Sequence, residues 1–198
     1  MERHLQKKDE LQQSWFQTLP ETSLHVIDSL NLPKNSKIID IGAGESRLVD
    51  FLLERGFENI SLLDISSESL EKTKKRLGIK SAKIKFIPID ITKFKTEEKF
   101  DFWHDRAAFH FLTRQEDIEK YLNVASSTLQ PGGMILVSTF APTGPEKCSG
   151  LNITRYSEEN LGKIFEKHFK KLKCFEQTHT TPWSSKQDFI YCLFKKEN

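Results

Sequence analysis

The feature that most constrains this chain is an apolar run that breaks into a glycine turn within residues 38–47. Three closely spaced isoleucines favour a strand that is covered on both faces, as in a parallel sheet. Gly42 and Gly44 then let the backbone turn tightly and approach a ligand closely. Apolar residues at helical spacing follow from Leu48, and Gly56 predicts the end of that helix. The unit is a strand, a glycine loop and a helix, which is a geometry that binds nucleotide-like ligands.

The glycine loop departs from two common nucleotide-binding patterns. A dinucleotide fingerprint needs a third glycine at position 47, where this chain has Arg47. A phosphate-binding P-loop needs a Gly-Lys-Ser/Thr ending, and the sequence contains none. Taken alone, the two glycines fit an ordinary strand-to-helix turn equally well.

Two further predicted strands also end in acids. The strand over residues 59–65 contains Asp64, which lies twenty residues beyond Gly44. That spacing is typical of a carboxylate that binds ribose hydroxyls in a βαβ unit. The next strand ends in Asp90, so Asp40, Asp64 and Asp90 are predicted to line one edge of the sheet. Open α/β sheets bind their ligands at this edge.

Several motifs in order resemble those of one family. The pattern apolar-apolar-Asp-apolar-Gly-x-Gly and the Leu-x-Pro-Gly-Gly turn at residues 129–133 resemble the class I, seven-β-strand, Rossmann-like S-adenosylmethionine-dependent methyltransferases. Ser46 stands where that family usually has a third glycine. With Trp-His-Asp-Arg-Ala after strand four, the chain also looks like a group of small bacterial members. The resemblance covers about residues 36–195.

The resemblance implies a fold. We expect an α/β, doubly wound, seven-stranded and mostly parallel sheet with helices on both faces. The implied strand order is 3-2-1-4-5-7-6, with the last strand antiparallel. We expect a single methyltransferase domain over residues 1–198, with a helical lid segment at 1–36 and a Rossmann-like core at 37–198.

The resemblance also implies the cofactor, S-adenosylmethionine, with S-adenosylhomocysteine as product. The glycine loop would accommodate its amino-acid end, Asp64 its ribose, and Asp90 with Ile91 its adenine. The candidate cofactor-binding residues are Trp15, Asp40, Gly42, Ala43, Gly44, Ser46, Asp64, Ile65, Asp90, Ile91 and Asp105.

The exit of strand four carries the candidate catalytic residues His104, Asp105, Arg106 and His110. Such a density of ionisable groups among aromatics is costly unless the groups pair or act. Either histidine could accept a proton from a nucleophile, and Asp105 could orient a base or receive the cofactor's ammonium. Arg106 could pair with Asp105 or hold an anionic group. Purely structural roles remain open for each residue.

The segment ahead of the first strand contains the aromatic pair Trp15 and Phe16, followed by Gln17. These residues fit a packed core, because aromatics are usually buried. They also fit a lid that covers the reacting centre and excludes water. Helical spacing from Leu24 to Leu30 predicts a helix that ends before Pro33.

Composition excludes several classes of partner. Thirty basic and twenty-eight acidic residues give a net charge of +2, so neither a nucleic acid nor a membrane surface is predicted as a partner. Three cysteines are too few for a disulfide framework or a zinc site, so we expect reduced thiols and no metal. The start lacks a signal-peptide pattern. We expect a cytoplasmic monomer or weak homodimer.

The predicted reaction is an in-line displacement that moves a methyl group to an acceptor. A small molecule with a thiol, amine or carboxylate is expected as the acceptor, and a protein lysine is the alternative. Nucleic-acid bases are disfavoured, because His104 to Ala107 replace the Asn/Asp-Pro-Pro-aromatic motif of base amine methyltransferases. A protein that binds the cofactor without catalysis is a third possibility, although Asp40, Asp64 and Asp90 are all present.

Overall fold

The computed structural model describes residues 14–197 and builds them around one twisted sheet. The first five strands of the sheet run parallel, and the last two form an antiparallel hairpin. The sheet strands are β1 (Lys37–Ile41), β2 (Asn59–Asp64), β3 (Ile84–Pro88), β4 (Phe100–Arg106), β5 (Leu129–Phe140), β8 (Phe169–Thr180) and β9 (Lys186–Lys196). Two short strands, β6 (Lys147–Cys148) and β7 (Leu151–Asn152), pair separately in the loop after β5.

The strand order is β3-β2-β1-β4-β5-β9-β8, with β9 antiparallel to both neighbours. Leaving out the small β6–β7 pair, this is the predicted order 3-2-1-4-5-7-6, so the predicted fold class is confirmed. The first five strands are joined by crossovers, and β1 and β4 lie side by side at the centre. Chain connections leave these two strands in opposite directions, which opens a crevice at their carboxyl ends.

Helices cover both faces of the sheet. They are α1 (Glu21–Ser29), α2 (Leu48–Glu54), α3 (Ser67–Leu77), α4 (Gln115–Thr128) and α5 (Glu158–Phe165). The first three pack on one face together with Ile38 and Phe102, and the last two pack on the other with Ile39 and Trp103. Neighbouring strand residues thus point to opposite layers, as the two-residue period of a strand requires. No helix in residues 14–197 is long and apolar enough to cross a membrane.

Two features differ from the sequence prediction. Pairing of β5 begins at Leu129, opposite Phe100, so the Pro-Gly-Gly turn lies inside a strand with a shifted register. Cys174 and Cys192 form a disulfide, so the expectation of reduced thiols is wrong for these two residues. They are direct partners across β8 and β9 with Cα atoms 4.2 Å apart, a neighbourhood that sequence spacing did not reveal. Cys148 is a free, buried thiol.

Gly133 is the site of a stability prediction. A Cβ at this position would lie 2.9 Å from the Gln130 carbonyl oxygen and 3.3 Å from that of Asp101. Because backbone cannot move aside cheaply, Gly133→Ala should lower the free energy of unfolding by about 1–3 kcal/mol. Gly162→Ala, inside α5, is the matched control, because its Cβ would meet only the flexible Lys171 side chain at 3.9 Å, and the substitution should stabilise by about 0.5–1 kcal/mol. Urea unfolding of both variants measures this, and equal stability would contradict the packing assigned to Gly133.

Candidate active site

A cavity of about 500 Å³ opens at the carboxyl ends of the parallel strands. It runs from the ends of β2 and β3, past the glycine loop, to the end of β4 and the segment before α1. Eleven of the candidate residues predicted from the sequence line it: Trp15, Asp40, Gly42, Gly44, Ser46, Asp64, Ile65, Asp90, Ile91, His104 and Arg106. Three do not: Ala43, Asp105 and His110.

The glycine loop can approach a ligand because its glycines have no side chains. Gly42 has a φ of +63°, and a Cβ there would meet the Ala108 Cβ at 2.5 Å. Gly44 has a φ of +47°, and a Cβ there would lie 3.4 Å from an Asp64 carboxylate oxygen, inside the cavity wall. Between them, Ala43 donates its N–H to the Leu63 carbonyl and packs in the core. The loop therefore presents backbone to the cavity.

Helix α3 holds this loop in place. The Thr73 hydroxyl donates to the Gly44 carbonyl at 2.9 Å, and Lys72 pairs with Glu45 at 3.0 Å. Arg76 donates to the Ser46 carbonyl at 2.7 Å and also pairs with Asp50. Nothing in the sequence distinguishes Lys72 and Arg76 from the other basic residues of α3. Two hydrogen bonds to backbone carbonyls and one ion pair to Glu45, all from α3, therefore fix the loop before any ligand arrives.

Asp64 ends β2 with its carboxylate buried in the cavity wall. It accepts hydrogen bonds from the backbone N–H of Ser66 at 2.7 Å and from that of Gly44. Burial nevertheless raises its pKa to about 6, and the nearby Asp40 and Glu45 carboxylates add to the shift. A buried carboxylate of this kind is satisfied further by ligand hydroxyl groups that donate to it.

The far end of the cavity is formed after β3. Asp90 accepts hydrogen bonds at Oδ1 from the backbone N–H and the hydroxyl of Thr92, at 2.9 and 2.8 Å. Ile91 begins the 3₁₀ turn Ile91–Lys93, and the first N–H groups of a helix lack partners within it. An acid and a free backbone donor at adjacent positions can recognise the donor–acceptor edge of a planar base.

Strand alternation separates the three ionisable residues at the end of β4. His104 and Arg106 point to the α1 side and line the cavity, whereas Asp105 points to the α4 side. Asp105 is fully buried and accepts hydrogen bonds from the N–H groups of Ala108 and Phe109 and from the Tyr121 hydroxyl. Burial raises its pKa to about 6. Asp105 thus shapes the turn after β4 from beneath and neither pairs with Arg106 nor faces the cavity.

His104 lies between two buried polar side chains. Its Nδ1 is 2.6 Å from Asp40 Oδ1, and its Nε2 is 2.9 Å from the Ser23 hydroxyl oxygen. Asp40 and His104 are register partners on β1 and β4, and Ser23 comes from α1. All three are at most 3% exposed, and all three line the cavity. The second oxygen of Asp40 is buried without a partner among residues 14–197.

Arg106 ties the segment before α1 to the sheet. Its Nη1 donates to the Trp15 carbonyl at 2.7 Å, its Nε donates to the Tyr191 hydroxyl at 3.1 Å, and its guanidinium stacks on Phe189 at 4.9 Å. His179 adds a second tie by donating from Nε2 to the Ser14 carbonyl at 2.8 Å. The Trp15 ring reaches Gly44, so the segment before α1, held by these two ties, lies over the glycine loop. Residues 1–13 of the predicted lid lie outside the described residues.

His110 lies behind the cavity wall. It is fully buried and stacks on Phe140 with ring centroids 4.9 Å apart. Neither ring nitrogen has a hydrogen-bond partner within residues 14–197. Burial, with the charge of Arg106, lowers its pKa to about 3. A neutral histidine without cavity access is poorly placed for proton transfer.

Sequence reasoning missed Ser23 and Tyr191. Each becomes part of the site through one contact with a residue more than eighty positions away. Ser23 is the one polar side chain among the buried residues of α1, where a hydroxyl normally needs a partner, and its position beside the apolar Leu24, Val26 and Ile27 was the available signal. No group of three or more potential metal ligands occurs in the described part of the chain.

Comparison with known proteins decides the family. The model of the methyltransferase domain family matches residues 32–196. The chain belongs to this family. Malonyl-[acyl-carrier protein] O-methyltransferase 2 of Ilyobacter polytropus is 33% identical over 164 residues, which cover 77% of this chain and 62% of the relative. EEF1A lysine methyltransferase 2 of Danio rerio is 27% identical over 172 residues, covering 80% and 66%. The chain thus spans slightly less than two thirds of either relative.

Solved structures share the fold. The N-methyltransferase NodS of Bradyrhizobium japonicum, solved with S-adenosylhomocysteine, superposes with a TM-score of 0.74 at 15% identity, covering all of this chain and 96% of NodS. The 1,6-didemethyltoxoflavin N1-methyltransferase of Burkholderia thailandensis superposes with a TM-score of 0.72 at 19% identity, covering 90% and 78%. These likenesses support the fold described above.

The buried His110 generates a pH prediction. Below pH 6.5 the unfolded chain binds a proton that folded His110 does not bind until about pH 3, so this residue lowers the free energy of unfolding as the pH falls through that window. His110→Phe removes the effect. As the pH falls from 6.5 to 5, the free energy of unfolding of the variant should rise by about 2 kcal/mol relative to that of wild type, since each pH unit contributes about 1.4 kcal/mol.

Urea unfolding at a series of pH values measures the difference. His25→Phe is the control, because His25 is exposed on α1 and the same substitution there leaves the buried ring in place. A pH-independent difference between wild type and His110→Phe would show that folded His110 titrates like an exposed histidine.

Proposed function

We propose that this methyltransferase uses S-adenosylmethionine to methylate a small-molecule acceptor. The observation that carries the proposal is the single cavity that joins three strand-end acids and the glycine loop to the polar residues at the end of β4. One part of the cavity suits a nucleoside with an amino-acid tail, and the other suits a second reactant. Holding two reactants in one cavity supplies much of the acceleration that methyl transfer needs.

The residues present fit the cofactor. Asp64 would hold the ribose hydroxyls, and Asp90 with Ile91 would hold the adenine. The glycine loop and the unpartnered oxygen of Asp40 would receive the amino-acid end, where an ammonium group donates hydrogen bonds. When bound, the cofactor supplies an electrophilic methyl group. The protein's own contribution is to orient both reactants and to exclude water beneath the segment that carries Trp15.

The segment before α1 supports a small acceptor. Its two backbone ties, to Arg106 and to His179, hold Trp15 and Gln17 at the cavity, with the Trp15 ring beside the glycine loop. Gln17 also reaches His179 Nδ1 at 3.5 Å. A cover of this kind restricts the space beside His104 and Arg106, which favours a compact acceptor over a protein surface.

A protein lysine is the second candidate acceptor. It is favoured by the similarity to the EEF1A lysine methyltransferase 2 of Danio rerio and to the eEF1A lysine and N-terminal methyltransferase of Mus musculus. The malonyl-[acyl-carrier protein] O-methyltransferase relative instead favours a carboxyl group on a carrier-bound acyl chain.

One experiment separates these acceptors. Full-length protein is incubated with methyl-labelled S-adenosylmethionine and a bacterial extract, and the label is followed in protein, small-molecule and volatile fractions. Label in the small-molecule or volatile fraction is the expected result. If the label is found only in protein, is stable to alkali and lies on lysine, a protein lysine would replace the small molecule as the proposed acceptor. Cofactor binding without label in any fraction would contradict the catalytic proposal.

Asp64→Asn should weaken binding of S-adenosylhomocysteine by 10- to 100-fold. The physical reason is that a hydrogen bond to a charged group contributes about 1.5–3 kcal/mol, and the amide cannot accept from two ribose hydroxyls as the carboxylate does. Isothermal titration calorimetry measures the change. Glu58→Gln is the control, because this acid is exposed at the opposite end of β2. Equal affinity in the two variants would remove Asp64 from the cofactor site.

Trp15→Ala should weaken cofactor binding and turnover with little effect on folding. Trp15 is only partly buried, and although its ring packs on the edge of the core layer under α1, α2 and α3, it also lies against Gly44 at the cavity. We expect about 5- to 20-fold weaker binding of S-adenosylhomocysteine, which corresponds to about 1–2 kcal/mol. Trp183→Ala, at an exposed indole, is the control. A large fall in the unfolding midpoint would instead assign Trp15 to the core.

A further inference from the structure

The side chains of Ser23, His104 and Asp40 are linked by two consecutive hydrogen bonds, an arrangement that can carry a proton. Asp40 can only accept at Oδ1 when ionised, so the 2.6 Å contact places the ring hydrogen of neutral His104 on Nδ1. The lone pair on Nε2 then faces the Ser23 hydroxyl, which donates to it at 2.9 Å. The tautomer follows from this hydrogen-bond network. The histidine thus has a fixed basic nitrogen and a carboxylate that stabilises its protonated form.

The location of the chain connects it with the reaction. His104 and Asp40 are register partners at the carboxyl ends of β4 and β1, next to the glycine loop. All three side chains line the cavity and are otherwise closed off from solvent. A buried serine, histidine and aspartate are costly to desolvate, and apolar residues would tie α1 to the sheet at less cost. A structural contact alone therefore gives no reason for this chemistry at this position.

We infer that His104, through the hydroxyl of Ser23, accepts the proton that the methyl acceptor loses, and that the reacting atom is a hydroxyl, thiol or amine rather than a carboxylate. A carboxylate arrives without a proton and needs no base, and the nearby charge of Asp40 repels it. The inference deepens the proposed function and rests on it, because it names the class of acceptor atom for the same cavity.

In the proposed step, the acceptor loses a proton as it gains the methyl group. The acceptor's O–H, S–H or N–H bond breaks, its proton passes to Ser23 Oγ, and the proton of Ser23 passes to His104 Nε2. The acceptor's electron pair forms the bond to the methyl carbon, and the electron pair of the broken carbon–sulfur bond stays on sulfur. His104 becomes an imidazolium paired with the Asp40 carboxylate. It returns the proton to water when the product leaves.

Charged groups around His104 belong to several elements. Asp40 on β1 contacts it directly, and Asp64 on β2 is electrostatically coupled to Asp40. On its own strand, Asp105 lies on the opposite face and feels the charge of His104, while Arg106 lies two residues further along on the same face. Helix α1 contributes Ser23, and its own two acids and histidine, Glu21, Asp28 and His25, are exposed. Asp40 is thus the group that positions and stabilises a protonated His104.

The first readout needs no acceptor. Full-length protein labelled with ¹⁵N-histidine should show one histidine with a strongly deshielded Nδ1–H proton and an unprotonated Nε2. His104→Asn should remove that signal, and Asp40→Asn should shift it strongly upfield. A His104 ring protonated on Nε2 near neutral pH would overturn the inference.

The second readout is the chemistry of the product. Wild-type protein is given methyl-labelled S-adenosylmethionine and the small-molecule fraction of a bacterial extract, and the product is treated with alkali. Methyl ethers, thioethers and methylamines keep the label, which is the expected result. Methyl esters release it as volatile methanol, and that outcome would overturn the inference while leaving the proposed function standing. Absence of any transfer by wild type would overturn both.

Variants complete the test. His104→Asn should lower the transfer rate by about 100- to 10,000-fold. Ser23→Ala should also lower the rate, whereas Ser23→Thr, which keeps a hydroxyl, should restore it to within about tenfold of wild type. Ser29→Ala, at an exposed serine on the same helix, is the matched control. An unchanged rate in His104→Asn, with S-adenosylhomocysteine affinity retained by calorimetry, would overturn the inference.

Discussion

The parallel pairing of β1 with β4 is the interaction on which the site depends. It brings Asp40 opposite His104, although the two lie sixty-four positions apart in the chain. It also creates the crevice, because the connections that follow β1 and β4 diverge to opposite faces of the sheet. The glycine loop leaves one of these strands, and the turn shaped by Asp105 leaves the other. The proposed cofactor side and the proposed acceptor side of the cavity therefore meet at a single pair of strand ends.

The apolar core makes this pairing rigid. Both strands are buried on two faces, so their side chains alternate between the layer under α1, α2 and α3 and the layer under α4 and α5. A slip of one residue would exchange the layers and expose every isoleucine of β1 to the wrong neighbours. The same constraint fixes which polar residues reach the cavity. Register thus sets the chemistry as well as the packing.

Much of the fold could be predicted from the sequence, because its signals are local. A run of isoleucines, a glycine turn and strand-end acids at a fixed spacing each report on a few neighbouring residues. The acids Asp40, Asp64 and Asp90 were placed at the cavity for this reason. The polar residues 104–106 were grouped as one cluster at the exit of the fourth strand, whereas the structure places them within β4 and divides them between its two faces. Applying the two-residue strand period to residues 104–106 would have separated Asp105 in advance.

What could not be predicted depends on contacts between distant elements. Ser23, Tyr191 and the Cys174–Cys192 bridge become visible only once helices and strands are packed together. His110 is a residue whose role the sequence overstated. The ionisable residues near it in sequence suggested activity, but its ring lies in an apolar layer against Phe140.

The way in which the segment before α1 is fastened has a consequence for divergence. Arg106 and His179 hold it through hydrogen bonds to the carbonyl oxygens of Trp15 and Ser14, which every amino acid possesses. These two bonds therefore do not depend on the side chains of residues 14 and 15. Substitutions at positions 14 to 17 can change the shape of the cavity, and with it the proposed choice of acceptor, without detaching the segment. A substitution of Arg106 or His179 would instead weaken the attachment of the segment in all such variants.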